Sequence, residues 1–189
     1  GVDKFHLVGH DLGGGIAQIF TVNNSSRVLS LSLINSVAYD FWPVQPIMAM
    51  RTPIVRQLAM ASLDLGTFKM VVHRGLFHKN MLTPEIMEQF WLPLKTREGR
   101  KSFLRFAQCL NNKHLLEISD NLASLSLPVL ILRGDSDVYL SSTIAEKLHA
   151  EMPTSRLERI HSAGHYLMLD EPGWLTEKLQ SFFDESKKK

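Results

Sequence analysis

The stretch Gly9-His10-Asp11-Leu12-Gly13 constrains the fold more than any other part of this 189-residue sequence. It closes a short apolar run, Phe5 to Gly9, that reads as a buried strand. It precedes Ile16, Ala17, Ile19 and Phe20, whose pattern suggests a helix lasting to about Asn23. A strand that becomes a helix within so few residues needs a tight turn. A G-x-nucleophile-x-G elbow of this kind holds its middle residue exposed at the C-terminal edge of a sheet. Both flanking glycines are expected to be required, because side chains there would clash with the strand and the helix. The middle residue is Asp11, a carboxylate rather than a serine hydroxyl.

The rest of the chain alternates strand and helix around one long interruption. Val28 to Ile34 alternates apolar residues with serine, the period of a strand. Pro43, Pro46 and Pro53 then punctuate the chain, and only helical patterns run to about Leu125. Within that stretch Thr83-Pro84 is a good helix start, with threonine as N-cap and proline in the first turn. Strand signal returns at Val129 to Leu132, before Gly134, and again at Arg156 to Ile160. Helices are expected near Thr143 to Ala150 and Pro172 to Phe183, ahead of a solvated Lys187-Lys188-Lys189 tail. This order predicts a mostly parallel sheet covered by helices. Three segments follow: a core part at 1–42, a helical insertion at 43–125, and a second core part at 126–189.

Bulk properties narrow the classes of partner. A net charge of +2 and a hydrophobic fraction of 44% fit a globular domain and give no basis for nucleic-acid binding. No apolar run reaches the roughly 18 residues of a membrane span. The single cysteine, Cys109, excludes an internal disulfide and fits a reducing, cytoplasmic setting. The first residues already belong to a strand, so the chain is expected to continue upstream.

Two further clusters follow the elbow in order. Gly134-Asp135-Ser136-Asp137 comes after the third strand and His161-Ser162-Ala163-Gly164-His165 after the fourth. With these motifs the chain resembles the α/β-hydrolase family, and within it the branch with an aspartate nucleophile. That branch includes haloalkane dehalogenases, fluoroacetate dehalogenases and epoxide hydrolases. The family's acid usually lies three residues after the strand-ending glycine, which selects Asp137, with Asp135 as the fallback. Its histidine follows a glycine, which selects His165 over His161. The long gap between Asp11 and Asp137 matches the place where the family inserts a helical cap.

The resemblance implies an α/β-hydrolase fold lacking its first strands, with helices on both faces of the sheet. Phe5 to Gly9 would then be an exposed apolar edge, which natural proteins avoid, so an upstream segment or a partner chain is expected to complete the sheet. The implied chemistry needs no metal or cofactor. Asp11 would displace a leaving group from a carbon of a small-molecule substrate and form an alkyl ester. His165 would activate water to hydrolyse it, and Asp137 would orient His165. The Leu12 N–H would be one oxyanion donor, the second coming from an upstream loop.

The substrate is less legible. Haloalkane dehalogenases usually carry tryptophan after the nucleophile and fluoroacetate dehalogenases arginine; here the residue is Leu12, and Trp42 is a weak substitute. Epoxide hydrolases use cap tyrosines, but Tyr39, Tyr139 and Tyr166 all lie outside the insertion. His10 would line the site or support the elbow. Met48, Met50, Met60, Met70, Met81 and Met87 make the insertion methionine-rich, which suits lid packing or a pliable apolar pocket. His73 and His78 read as surface residues, and Arg97, Arg100 and Lys101 as a solvated face. Two rivals stand beside the alkyl-ester mechanism. One is a binding protein of the same fold without catalysis. The other is an esterase, disfavoured because a carboxylate attacking an ester would give an anhydride.

Overall fold

The computed structural model describes residues 1–40, 52, 53, 55, 56, 58 and 66–186. Four parallel strands lie side by side in chain order: β1 (Phe5–Asp11), β2 (Val28–Ser36), β3 (Val129–Gly134) and β4 (Ser155–Ile160). Leu7 of β1 sits opposite Leu31 of β2, which sits opposite Val129 of β3, itself opposite Ser155 of β4. Helices α1 (Leu12–Asn23) and α7 (Ser142–Glu151) connect neighbouring strands. Between β2 and β3 the described residues contain no strand, and their helices include α2 (Phe68–Gly75), α3 (Pro84–Trp91), α4 (Arg97–Cys109), α5 (Lys113–Leu116) and α6 (Ser119–Leu122). The chain ends in the short α8 (Leu167–Asp170) and α9 (Pro172–Ser186). The start of α3 is as its sequence predicts: the Thr83 hydroxyl accepts from the Ile86 N–H at 3.3 Å, with Pro84 in the first turn.

The two central strands are buried on both faces, as parallel strands under two helical layers must be. On one face Leu31, Leu33, Val129 and Ile131 pack with Ala17 of α1 and with Ile144 and Leu148 of α7. Leu115, Ile118, Leu122 and Leu125, from the end of the helical stretch, join the same cluster. On the other face Ile34, Leu130 and Leu132 pack against Leu167 of α8 and Leu175 and Phe182 of α9. The serines that alternate through β2 do not face water. Ser30 and Ser32 are fully buried, and the Ser30 hydroxyl lies 2.7 Å from His6 Nδ1. No helix among the described residues is long and apolar enough to cross a membrane.

The passage from β1 to α1 is the tightest place in the fold. Asp11 takes φ 51° and ψ −119°, a backbone conformation that side chains other than glycine rarely adopt. Gly9 permits this. A Cβ there would lie 2.6 Å from the Gly13 carbonyl oxygen and 2.7 Å from Gly14 Cα, both backbone atoms. The second required glycine is Gly14, where a Cβ would lie 2.1 Å from Ser36 Oγ; a Cβ on Gly13 meets nothing within 4 Å. The expectation that both glycines flanking Asp11 are steric necessities thus holds for Gly9 and shifts by one residue on the helical side. The reason is geometric: the helix presents Gly14 to β2 and turns Gly13 away. Gln18, fully buried one turn on, donates to Ser36 Oγ at 3.0 Å and to the Val37 carbonyl at 2.8 Å, tying α1 to the end of β2.

This asymmetry is measurable by urea unfolding. Gly9→Ala should destabilise the chain by about 3 kcal/mol or more, since only backbone movement relieves the overlap. Gly13→Ala should be neutral or stabilising by up to about 1 kcal/mol, because alanine is the better helix former.

Candidate active site

Three loops at the carboxyl ends of the strands bring together the residues singled out in the sequence. Asp11 ends β1, Asp137 follows β3 and His165 follows β4. His165 Nδ1 lies 3.0 Å from Asp137 Oδ2, and His165 Nε2 lies 3.9 Å from Asp11 Oδ1. The first is a hydrogen bond; the second is too long to be one. Exposure grades along the series: the Asp137 side chain is inaccessible, His165 is 8% exposed and Asp11 is 28% exposed. The fallback pair lies elsewhere. Asp135 accepts from Arg159 Nε at 2.8 Å and sits 3.2 Å from His161 Nδ1, whose side chain is almost wholly in solvent.

Asp137 is held by more than the histidine. Its Oδ1 accepts from the backbone N–H groups of Tyr139 at 2.8 Å and Leu140 at 3.2 Å. Its Oδ2 also faces Arg133 Nη1 at 3.3 Å, and that guanidinium is itself buried and donates to the Leu140 carbonyl at 2.7 Å. Burial is the largest single influence on the Asp137 carboxyl and opposes its charge. The His165 hydrogen bond and charge, the Tyr139 N–H and Arg133 together outweigh it, and the group stays below the usual carboxylate range. Arg133 carried a readable signal, since it is a lone charge inside the apolar strand Val129–Gly134.

The backbone under His165 is also fixed. The His165 N–H donates to the Gly75 carbonyl at 2.7 Å, so the end of α2 touches the loop directly. The Gly164 N–H donates to Asp170 Oδ2 at 2.8 Å, and the same buried carboxylate accepts from the N–H groups of Phe77 and His78. His10 Nε2 lies 2.9 Å from the His165 carbonyl oxygen, and the two rings are 4.8 Å apart. Burial, and then the nearness of His165, lower the His10 pKa against the opposing pull of that carbonyl and of Asp11 and Asp137.

Tyr139 and Tyr166, outside the insertion as the sequence requires, stand edge-on to the His165 ring at 5.2 and 5.1 Å. The Tyr139 hydroxyl donates to the Val71 carbonyl at 2.5 Å. Phe90 of α3 packs on Tyr166 at 5.2 Å. The sequence order of these tyrosines hid their proximity to the histidine. Trp42, with Met48, Met50 and Met60, lies outside the described residues. Of the other methionines, Met70 is 64% exposed and Met87 lines a cavity of about 460 Å³ with Phe68, Leu82, Pro84 and Trp91. None of Asp11, Asp137 or His165 lines that cavity. Arg100 does not belong to a solvated face: it donates to the Leu94 carbonyl at 2.7 Å and lies over the Trp91 ring. His78 lies 3.4 Å from Glu171, and no cluster suited to a metal ion occurs among the described residues.

Known proteins share this arrangement of strands and helices. The chain is 25% identical over 169 residues to the 2-hydroxy-6-oxononadienedioate/2-hydroxy-6-oxononatrienedioate hydrolase of Comamonas testosteroni, covering 88% of this chain and 58% of that one. It therefore spans less than two thirds of that relative's length. Its structure superimposes on the haloalkane dehalogenase DbeA of Bradyrhizobium elkani with a TM-score of 0.84 at 20% identity, over 98% of this chain and 69% of that one. A serine hydrolase of Cycloclasticus zankles, CCSP0084, gives a TM-score of 0.76 at 18% identity, over 97% and 65% of the two chains. At these identities the structural likeness concerns the fold alone. The sequence itself matches the description "alpha/beta hydrolase fold" over residues 1–172, and the chain belongs to that family.

Proposed function

We propose that this chain carries the catalytic residues of a hydrolase that works through an alkyl ester on Asp11, with an alkyl halide or epoxide-type substrate. The observation that carries this proposal is the carboxylate at the elbow, 3.9 Å from a histidine that is hydrogen-bonded to a second, buried carboxylate. A serine at that position must pass a proton to the histidine and needs a hydrogen bond to it. A carboxylate is already ionised and needs none. The Asp11 oxygen attacks the substrate carbon, the new C–O bond forms, and the halide or epoxide oxygen leaves with the bonding pair. His165 Nε2 then takes a proton from water as the water oxygen adds to the Asp11 carboxyl carbon. Collapse of that intermediate expels the ester oxygen, which leaves as the alcohol with the remaining hydroxyl proton, and restores the carboxylate; the proton on His165 passes to the alkoxide of an opened epoxide or, after halide loss, to solvent.

The Leu12 N–H is the first of α1, and the first N–H groups of a helix have no intrahelical carbonyl to bind. It is the oxyanion donor in this scheme. His10 and Trp42 would line the substrate side, and the segment 43–125 would act as the cap. The contact of Gly75 with the His165 backbone and the packing of Phe90 on Tyr166 support that role for the insertion. The Comamonas relative acts, by its name, on an oxo-dienedioate, and one fold neighbour is a serine hydrolase; Asp11 at the elbow favours the alkyl ester over chemistry of that kind.

Intact-mass analysis after exposure to pooled alkyl halides and epoxides tests the scheme. His165→Ala should accumulate an adduct that maps to Asp11, its hydrolysis slowed by about 100-fold or more. Asp11→Ala should form none. A folded His165→Ala sample that stays unmodified across the pool would favour a binding protein without turnover.

Asp137 makes a separate, pH-dependent prediction. Its native carboxyl binds a proton more weakly than the unfolded one, so its contribution is complete above the ordinary carboxylate pKa, about 4, and is lost as pH falls through the depressed native value. Asp137→Asn also leaves Arg133 buried without its counter-charge, at a cost of about 3–5 kcal/mol. Denaturant midpoints of wild type and Asp137→Asn should differ by a constant amount near neutral pH and converge in acid. A gap that persists unchanged well below the carboxylate range would count against an ionised Asp137.

A further inference from the structure

We infer that Asn35 is a positioning residue, which fixes the backbone of the His165 loop against the Asp137 loop and thereby sets where His165 Nε2 points. This rests on the proposal that His165 is the base acting on an Asp11 ester. Asn35 lies near the end of β2, is 2% exposed and has φ 37°. Its side-chain amide reaches both neighbouring loops. Nδ2 donates to the Gly164 carbonyl at 2.8 Å and to the His165 carbonyl at 3.0 Å. Oδ1 accepts from the Gly134 N–H at 3.0 Å, at the start of the loop that carries Asp137.

The consequence appears in the polar groups of residues 164 and 165. The two carbonyls are bound by Asn35, the second also by His10 Nε2 at 2.9 Å. The two N–H groups are bound by Asp170 and by the Gly75 carbonyl. All four main-chain groups are thus held by residues outside the loop, and the peptide planes that root the imidazole cannot rotate without breaking buried hydrogen bonds. Asn35 alone among these partners bonds to both the histidine loop and the acid loop. It sets the separation across which the 3.0 Å bond from His165 Nδ1 to Asp137 forms.

The residue type follows from the geometry. Asparagine supplies two donors and an acceptor on one short planar group, and it tolerates positive φ better than most residues. Aspartate is isosteric but turns a donor into an oxygen facing two carbonyl oxygens. Serine lacks the second donor.

The test uses Asn35→Asp, which keeps shape, and Asn35→Gly, which keeps the positive φ, with 1-bromobutane as the alkylating probe. If Asn35 positions the histidine, exchange of the His165 Nδ1 proton with water, followed by NMR, should speed up by about tenfold or more in both folded variants. Hydrolysis of the butyl ester should slow by about tenfold or more, because small misplacements of a base are costly. Formation of the ester, which does not need the base, should stay within about twofold. Variants that melt at lower temperature but leave the exchange of the His165 proton unchanged would overturn the inference and make Asn35 a purely structural residue. Absence of any adduct, even in His165→Ala, would count against the alkyl-ester mechanism; the NMR exchange would still decide the role of Asn35.

Discussion

The close approach of the end of β1 to the start of α1 sets the position of everything else at the site. Gly9 and Gly14 let the strand, the helix and Ser36 of β2 come within distances that a single extra Cβ would forbid. In that space the chain must reverse direction at one residue, and Asp11 takes a backbone conformation that costs about 1–3 kcal/mol. Such strain persists only where the surroundings over-determine it. Here Asp11 is paired in register with Ser36, the Val37 N–H donates to its carbonyl, and Gln18 closes the helix onto the same strand end. The result is a carboxylate at the turn, 28% exposed and 3.9 Å from His165 Nε2.

The second half of the site depends on buried polar groups, each of which has to find its partner. Arg133, Asp137 and His165 form a chain in which each member offsets the desolvation of the next. The balance is visible at Asp137, where burial pushes the carboxyl's pKa up and hydrogen bonds and two charged neighbours bring it below the usual range. A charged Asp137 favours the tautomer of His165 that carries its proton on Nδ1 and leaves Nε2 free towards Asp11. Asp170 works differently, accepting only from backbone N–H groups and joining residues 77 and 78 to Gly164. The helical stretch between β2 and β3 therefore shares hydrogen bonds with the histidine loop.

Much of this was legible before any coordinates. The strand and helix order follows from periodicity, and each strand and helix named in the core occurs within a few residues of its expected place. Asp11, Asp137 and His165 stand at strand ends marked by glycine, and three-dimensional proximity follows from the parallel sheet. Less legible were the residues whose importance comes from packing. Asn35 sits in a sequence, Leu33-Ile34-Asn35-Ser36, that gives no hint of two loops converging on it. Asp170 looks like one more helix-terminal acid. Gly13 looks as indispensable as Gly9, yet only the helical phase decides that Gly14 meets Ser36. Tyr139 and Tyr166 are far from the insertion in sequence and edge-on to His165 in space, because the loops after β3 and β4 adjoin.

Those two tyrosines bear on the chemistry as walls. Burial is the largest reason that both hydroxyls are pushed above their usual range, so they stay neutral and add no charge beside the imidazole. With Tyr139 tied to the Val71 carbonyl and Phe90 against Tyr166, the two rings that stand edge-on to His165 are themselves held in place. In the proposed scheme His165 acts as a base only in the second step. During alkylation it needs no contact with Asp11, and a direct hydrogen bond would hold back a lone pair of the nucleophile. During hydrolysis it must reach a water poised over the ester carbon. A separation of 3.9 Å, too long for a hydrogen bond and short enough to share one water, suits both steps.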